Sequence, residues 1–151
     1  MMRPSKKLAL ALEAVCDIAY HGGAEPVQSH DIARRLNLPR RYLEQVMQQM
    51  VRAGILRGVR GPRGGYRLAR ERRRISVADI VKVVRGLDGQ MADEDERASS
   101  KLGEAVVQAY WDEVEAKLME HLNATTIEDL CRRAERTGVA SEAHKGVDFA
   151  I

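Results

Sequence analysis

Apolar positions along this chain recur mostly at helical spacing, with one short interlude at strand spacing, and their order lays out the architecture. Over residues 5–21, Leu8, Leu12, Val15 and Ala19 share one stripe; Ser5 is placed to cap this helix and Gly22 and Gly23 to end it. A short helix follows in VQSHDIARRL, with Ile32, Ala33 and Leu36 inward, and NLPR turns the chain. In PRRYLEQVMQQMVRAG, Leu43, Val46, Met47, Met50 and Val51 obey the i, i+3, i+4, i+7, i+8 rule and must face a core. Its opposite face carries Arg41, Glu44, Gln45, Gln48 and Arg52, and Gly54 closes the helix. Short helix, tight turn and longer polar-faced helix together form a helix-turn-helix pattern.

The strand-like interlude is GVRGPRGGYRLAR, residues 58–70. Ile55, Leu56 and Val59 precede the GPRGG turn and Tyr66 and Leu68 follow it, which reads as a β-hairpin beside the helix-turn-helix, the wing of a winged helix. A phosphate-cradling nucleotide loop would need Lys-Ser/Thr after the last glycine and then a helix; Tyr66, Arg67 and a strand stand there instead. Ser76 is placed to cap ISVADIVKVVRG, which buries Val77, Ile80, Val81 and Val84 and completes a domain over residues 1–86. Residues 87–101 lack periodicity and are rich in acid, the pattern of a mobile loop. From Leu102, a long helix sets Val107, Trp111, Val114, Leu118 and Leu122 on one stripe, with Val106 and Tyr110 adjoining. Such a stripe needs another helix to cover it, and a second copy of the chain is the expected partner. Thr125 or Thr126 caps a last helix, IEDLCRRAER, so residues 102–136 form a dimerisation unit and 137–151 a flexible tail.

Charge divides the chain where the pattern does. Residues 1–74 carry 16 Lys+Arg against 6 Asp+Glu, whereas 75–151 carry 9 against 16. A basic half joined to an acidic half places contact with a polyanion on the first half alone. Arg60 and Arg63 of the hairpin loop are positioned to hold phosphates or enter a minor groove, with Arg67, Arg70, Arg72, Arg73 and Arg74 extending the positive surface. On the polar helix face, Arg41 suits guanine, Gln45 adenine and Glu44 the amino group of cytosine. No apolar run is long enough to span a bilayer and the first segment is broken by Glu13 and Asp17, so the chain reads as cytoplasmic. Cys16 and Cys131 are its only cysteines, far apart in sequence, and His21, His30, His121 and His144 share no metal-ligand spacing. Enzymatic activity is not expected, since no nucleophile–base pair, clustered metal ligands or phosphate-loop lysine stands out.

The segments YLEQVMQQMVRAGILRGVRGPRGGYRLAR and ISVADIVKVVRG, with the wing motif RGPxGGY, resemble the iron–sulfur-cluster regulator family of bacterial winged-helix transcription regulators, the IscR, NsrR, RirA and CymR types. The resemblance runs from about residue 2 to residue 86 and more weakly through AYWDEVEAKL and TTIEDL. It implies a mainly α fold, a winged helix-turn-helix domain plus a long C-terminal dimerisation helix, and a homodimer that binds specific double-stranded DNA, more often repressing than activating. By that resemblance Tyr42, Glu44 and Gln45 stand where the family contacts bases, and Arg60, Gly61, Pro62, Arg63, Gly64 and Gly65 where its wing lies. Ser29, His30, Arg40, Arg41 and Gln48 complete the candidate DNA-contacting set.

The chain departs from the family in its chemistry. Cluster-binding members carry three cysteines before the long helix, and here GQMADEDERASSKLG carries none, with Gln108 where a further ligand would stand. No iron–sulfur cluster of the usual kind, no other metal and no other cofactor is therefore expected. Two alternatives remain: a regulator set by a protein or small molecule bound at the dimer domain, or one set by unorthodox cluster ligation, with carboxylates or His30, or thiol oxidation at Cys16.

Overall fold

The computed structural model describes residues 3–88 and 100–143. Helix α1 (Lys6–His21) starts where Ser5 Oγ accepts from the Leu8 N–H at 3.2 Å and stops at Gly22. It is the centre of the molecule: α2 (Ser29–Leu36), α3 (Arg40–Arg52), α4 (Val77–Asp88) and α6 (Ile127–Arg136) all pack against it, as does strand β2 (Gly65–Leu68). So many neighbours need a wide apolar arc, and the deepest residues are Ala11, Ala14, Val15 and Ile18. Leu8, Leu12 and Ala19, expected with Val15 on one stripe, lie half-buried at the edge of that arc.

The turn between α2 and α3 is made by three residues. Asn37 takes a left-handed conformation (φ 53°), which lets the Leu38 N–H return to the Ala33 carbonyl at 3.1 Å, and Pro39 caps α3. Leu43, Met47 and Met50 are fully buried, with Ile32 of α2 packed into the same core. After Gly54 (φ 77°), β1 (Leu56–Val59) pairs antiparallel with β2, Leu56 opposite Leu68 and Val59 opposite Gly65. Val27 adds a one-residue third strand: its N–H donates to the Tyr66 carbonyl at 3.0 Å and Tyr66 N–H returns to Val27 O at 2.8 Å. The hairpin is thereby tied to the residue that leads into α2.

Ser76 opens α4 with a reciprocal cap, its Oγ accepting from Asp79 N–H at 3.1 Å while Asp79 Oδ2 accepts from Ser76 N–H at 3.0 Å. The helix runs past Gly86 to Asp88, so the expected domain end at residue 86 falls inside it. The expected acidic loop then lies, for residues 89–99, outside the described residues. The long C-terminal helix is regular only over α5 (Ala109–Ala124); Gly103–Gln108 before it winds as a wider π-helix.

At the C-terminal end the structure differs from two expectations. Thr126 caps α6 with Asp129 in a second reciprocal pair, and α6, expected in one unit with the long helix, packs on the N-terminal core. Ile127 and Cys131 are buried in the N-terminal core, and Ile127 N–H donates to Ile75 O at 2.9 Å beside the Val77-to-Thr125 bond, also 2.9 Å. An isolated α6 would have no cover for those two side chains, so it seats where the core is open. Residues 139–143, expected within a flexible tail, fold back on the end of α1 and bond to Tyr20 and His21. The remainder of that expected tail, 144–151, lies outside the described residues.

Candidate nucleic-acid interface

Helix α3 turns its polar face to solvent, as its spacing requires. Arg41, Gln45, Gln48 and Arg52 are exposed, Tyr42 is 43% exposed, and the apolar side is sealed. Gln48 Nε2 donates to the Tyr66 hydroxyl at 3.4 Å, joining this helix to the hairpin. Between the hairpin and the helix-turn-helix opens a cleft of about 700 Å³, into which Ser29, His30, Arg40, Gln48, Arg60, Gly61, Pro62, Gly64 and Gly65 converge. The start of α2 forms part of its wall, and N–H groups at a helix start favour anions.

The hairpin loop is held in shape by its glycines. Gly61 adopts φ 115°, a region that side chains avoid, and Gly64 N–H closes on Gly61 O at 2.9 Å. Arg60 stands exposed and makes no ion pair among the described residues, and the same holds for Arg41. Arg63 is 85% exposed and reaches Glu25 at 3.3 Å, a surface pair that water screens. His30 meets Asp31 at 3.5 Å, also in solvent.

Glu44 has a more constrained position than sequence spacing indicates. Its Oε1 accepts from Arg40 Nε at 3.0 Å and from Ser29 Oγ at 3.2 Å, while Arg40 Nε also lies 3.1 Å from Ser29 Oγ. This triad links the first turns of α2 and α3 and aims Arg40 along the cleft. The signal was present as Arg40 and Glu44 at i, i+4, but Ser29 could be added only by the fold.

The arginines expected to extend the positive surface are mostly engaged elsewhere. Arg67 donates to the Gly23 and Ala24 carbonyls, Arg70 meets Asp79 at 3.5 Å, and Arg73 meets Glu71 at 2.6 Å. Arg72 turns to Glu128 at 3.9 Å and toward Cys131. A neighbouring acid or carbonyl outbids open solvent for a guanidinium, and sequence alone does not reveal those neighbours. Asp17 was likewise missed: it is buried on α1 and accepts from Nε and Nη2 of Arg35, one edge of the guanidinium, at 2.9 and 2.8 Å. A carboxylate inside an apolar helical stripe was the available signal.

Cys16 and Cys131, remote in sequence, line one cavity of about 410 Å³ between α1 and α6. Burial, then Cys131 and the carboxylates of Glu13 and Asp17, push the Cys16 thiol up to about 12, and burial also raises Cys131. Both are therefore protonated near neutrality and poor nucleophiles. Two such thiols do not fit the mostly thiolate, fourfold ligation that a cluster requires. Among the described residues, no three His, Cys, Asp or Glu side chains stand where they could share a metal ion.

Helix α5, which packs on α4, and the turns before it expose Leu102, Val106, Val107, Tyr110, Trp111 and Leu118, with Val114 and Leu122 half-buried. Trp111 is 49% and Val107 51% exposed, and so continuous an apolar stripe marks an interaction surface. No helix among the described residues is long and apolar enough to cross a membrane.

Comparison with known proteins agrees with this geometry. Residues 4–133 match the model of the Rrf2 family, described as an iron-dependent transcriptional regulator. The chain is 31% identical to the protein rrf2 of Nitratidesulfovibrio vulgaris over 78% of its own length and 79% of the relative's. It is 30% identical to the HTH-type transcriptional regulator IscR of Xenorhabdus nematophila, over 92% and 85% of the two chains. Among solved structures, T. potens IscR superposes with a TM-score of 0.74 at 32% identity, covering 93% of each chain. CymR, the global cysteine regulator of B. subtilis, does so with 0.71 at 28% identity, covering 88% and 98%. These relatives are transcriptional regulators and not enzymes, and the same holds for this chain. With the winged helix-turn-helix, the matched residues and these relatives in agreement, the chain belongs to the Rrf2 family of transcriptional regulators.

Proposed function

We propose that this regulator works as a homodimer that binds a two-fold DNA site, reads bases with α3 and grips the flanking backbone with the β1–β2 hairpin. The observation that carries the reading is the exposed Arg41–Gln45–Gln48 face standing beside a hairpin whose Arg60 has no acidic partner among the described residues. Guanidinium and amide groups at that spacing match the donor and acceptor pattern of a major groove. Arg40, Arg60, Arg63 and the start of α2 supply the phosphate contacts that set register and drive affinity. Tyr42 lies at the edge of the same face and reaches a sugar or a thymine methyl.

The α5 stripe supports the dimer: a second copy laid along Val107, Trp111, Val114, Leu118 and Leu122 would remove it from water. Regulation proceeds without the three-cysteine cluster, because the chain lacks those cysteines and its two thiols, Cys16 half-buried and Cys131 buried, are both shifted toward the protonated form. Repression follows if the bound dimer occludes a promoter. Selection of bound duplexes from a random pool, followed by mobility shift from 50 to 200 mM salt, tests the reading. It expects an inverted-repeat motif and an affinity that falls by about 10³ or more over that range, as several phosphate contacts require. No recovered motif and a flat salt response would refute it.

A further inference from the structure

Helix α2 has eight residues, and only Ser29 and Ile32 of them are buried. A helix that short does not hold itself and takes its orientation from what clamps it. Its first turn is fixed by the Ser29–Arg40–Glu44 triad, and its last turn by Arg35. The Arg35 side chain is 14% exposed and is held from two sides: Nε and Nη2 on Asp17 of α1, and Nη1 on Glu142 Oε2 at 2.6 Å. Arg34 Nη2 reaches the same Glu142 oxygen at 3.4 Å.

Glu142 comes from the far end of the chain, on a short strap that crosses the end of α1. The Tyr20 hydroxyl donates to the Val139 carbonyl, Ser141 Oγ donates to Tyr20 O at 2.7 Å, and Glu142 N–H donates to His21 Nδ1 at 3.0 Å. Ala143 N–H turns back to Ser141 Oγ at 3.1 Å, and a Cβ on Gly23 would stand 3.2 Å from Ala143 O, so the strap lies close against the turn before α2.

We propose that Glu142 is a positioning residue for DNA recognition: the strap of residues 139–143 completes the Arg35 clamp and fixes the angle at which the helix-turn-helix presents α3. The inference rests on the DNA-reading function proposed above. Arg34 and Arg35 sit at the end of α2 remote from Ser29 and the cleft, so Glu142 acts through the mounting of the helix and not by contact with DNA. With the Glu142 anchor gone, α2 retains Ser29 at its first turn and the Asp17 pair at its last, but Arg35 is held from one side only, so the last turn gains play and α3 shifts with the turn at Asn37–Pro39. Base contacts depend on that angle; contacts to phosphates along a flexible surface depend on it far less.

The test uses full-length E142A and E142Q. Amide hydrogen exchange is followed at residues 32–36 of α2 and 46–50 of α3, and anisotropy titrations use the duplex recovered by selection and a scrambled duplex of equal length. In E142A the α2 amides should exchange about tenfold faster while those of α3 hold. Affinity for the selected duplex should fall about three- to tenfold with the scrambled duplex unaffected. E142Q keeps an acceptor oxygen for Arg35 and should recover part of both effects. Unchanged α2 exchange in E142A overturns the inference, and so does faster exchange with full discrimination between duplexes. If the wild-type chain itself fails to discriminate, the DNA-reading function falls, and the positioning role falls with it.

Discussion

Gly65 is the residue at which a single methyl group should do most harm to the proposed grip. A Cβ built there would stand 2.3 Å from Val27 O, 2.7 Å from Val27 C and 3.1 Å from Gln28 N, all backbone atoms that cannot rotate away. In Gly65→Ala, β2 must therefore withdraw from Val27 and give up the two bonds between Val27 and Tyr66, 3.0 and 2.8 Å long. Each such bond contributes about 1 kcal/mol net, so their loss costs about 2 kcal/mol. The smaller entropy of an alanine in the unfolded chain returns about 0.4–1 kcal/mol. The net expectation is a destabilisation of about 1–2 kcal/mol, or a fall in Tm of about 2–8 °C for a chain of this size. The functional effect should be larger than the thermal one. Val27 leads into α2 and Tyr66 touches Gln48, so the hairpin loses its alignment with α2 and α3 together. Gly58→Ala is the matched control, since a Cβ there meets nothing within 4 Å. Urea unfolding and anisotropy with the selected duplex provide the measurement. Equal midpoints and equal affinities for the two variants would refute the close-approach argument.

The two kinds of DNA contact should separate by mutation. Gln45→Ala should cost about 1–3 kcal/mol at one base pair of each half-site and leave the others unaltered, as read by competition with single-position variants of the duplex. Arg63→Ala should weaken all duplexes alike and reduce the salt slope by about 1.8 if each copy in the proposed dimer neutralises one phosphate. Trp111→Glu places a charge in the α5 stripe and should turn the dimer into monomers in sedimentation velocity, with helical circular dichroism retained because Trp111 is half-exposed within one chain. The Cys16 thiol predicts a pH effect. Its folded value of about 12 lies above the ordinary 9, so between those values the folded chain holds a proton that the unfolded chain has lost. Its contribution to stability is intact below pH 9 and declines as pH rises toward 12; Cys16→Ala should flatten that decline in urea midpoints measured from pH 8 to 11.

The parts of this fold that were legible in the sequence are those specified by neighbours in the chain. Ser5, Ser76 and Thr126 act on N–H groups three residues on, and the GPRGG turn lies between strands that pair directly across it. The α3 face was legible for the same reason, because one side of a helix follows from spacing alone. What remained hidden depends on residues far apart. Glu44 is drawn into a triad by Ser29, fifteen positions earlier, and α6 is drawn into the core because α1, as the central helix, leaves room for Ile127 and Cys131. The strap of residues 139–143 has no helical or strand period to announce it, and only its hydrogen bonds to Tyr20 and His21 define it.

The distribution of arginine shows why net charge alone is a poor guide to where a polyanion binds. The basic half of the chain carries a run at Arg70, Arg72, Arg73 and Arg74, denser than anything in the hairpin loop, and density alone would place the nucleic acid there. Yet Arg70, Arg72 and Arg73 each face a carboxylate, and Arg72 has its partner on α6, where it helps seat the C-terminal helix. Each of those carboxylates offsets part of its neighbour's field, although water weakens these surface pairs too, the exposed Arg73–Glu71 pair most of the three. Arg41 and Arg60 have no acidic partner among the described residues, and Arg63 has only a screened one. The unpaired guanidinium groups among the described residues are therefore fewer than the sequence holds: of the dense run only Arg74 keeps one, while Arg41 and Arg60 keep theirs on the α3 face and the hairpin, where DNA contact is proposed. Reversal of charge at Arg73 should accordingly change DNA affinity far less than reversal at Arg60, although the two residues are equally basic and both exposed.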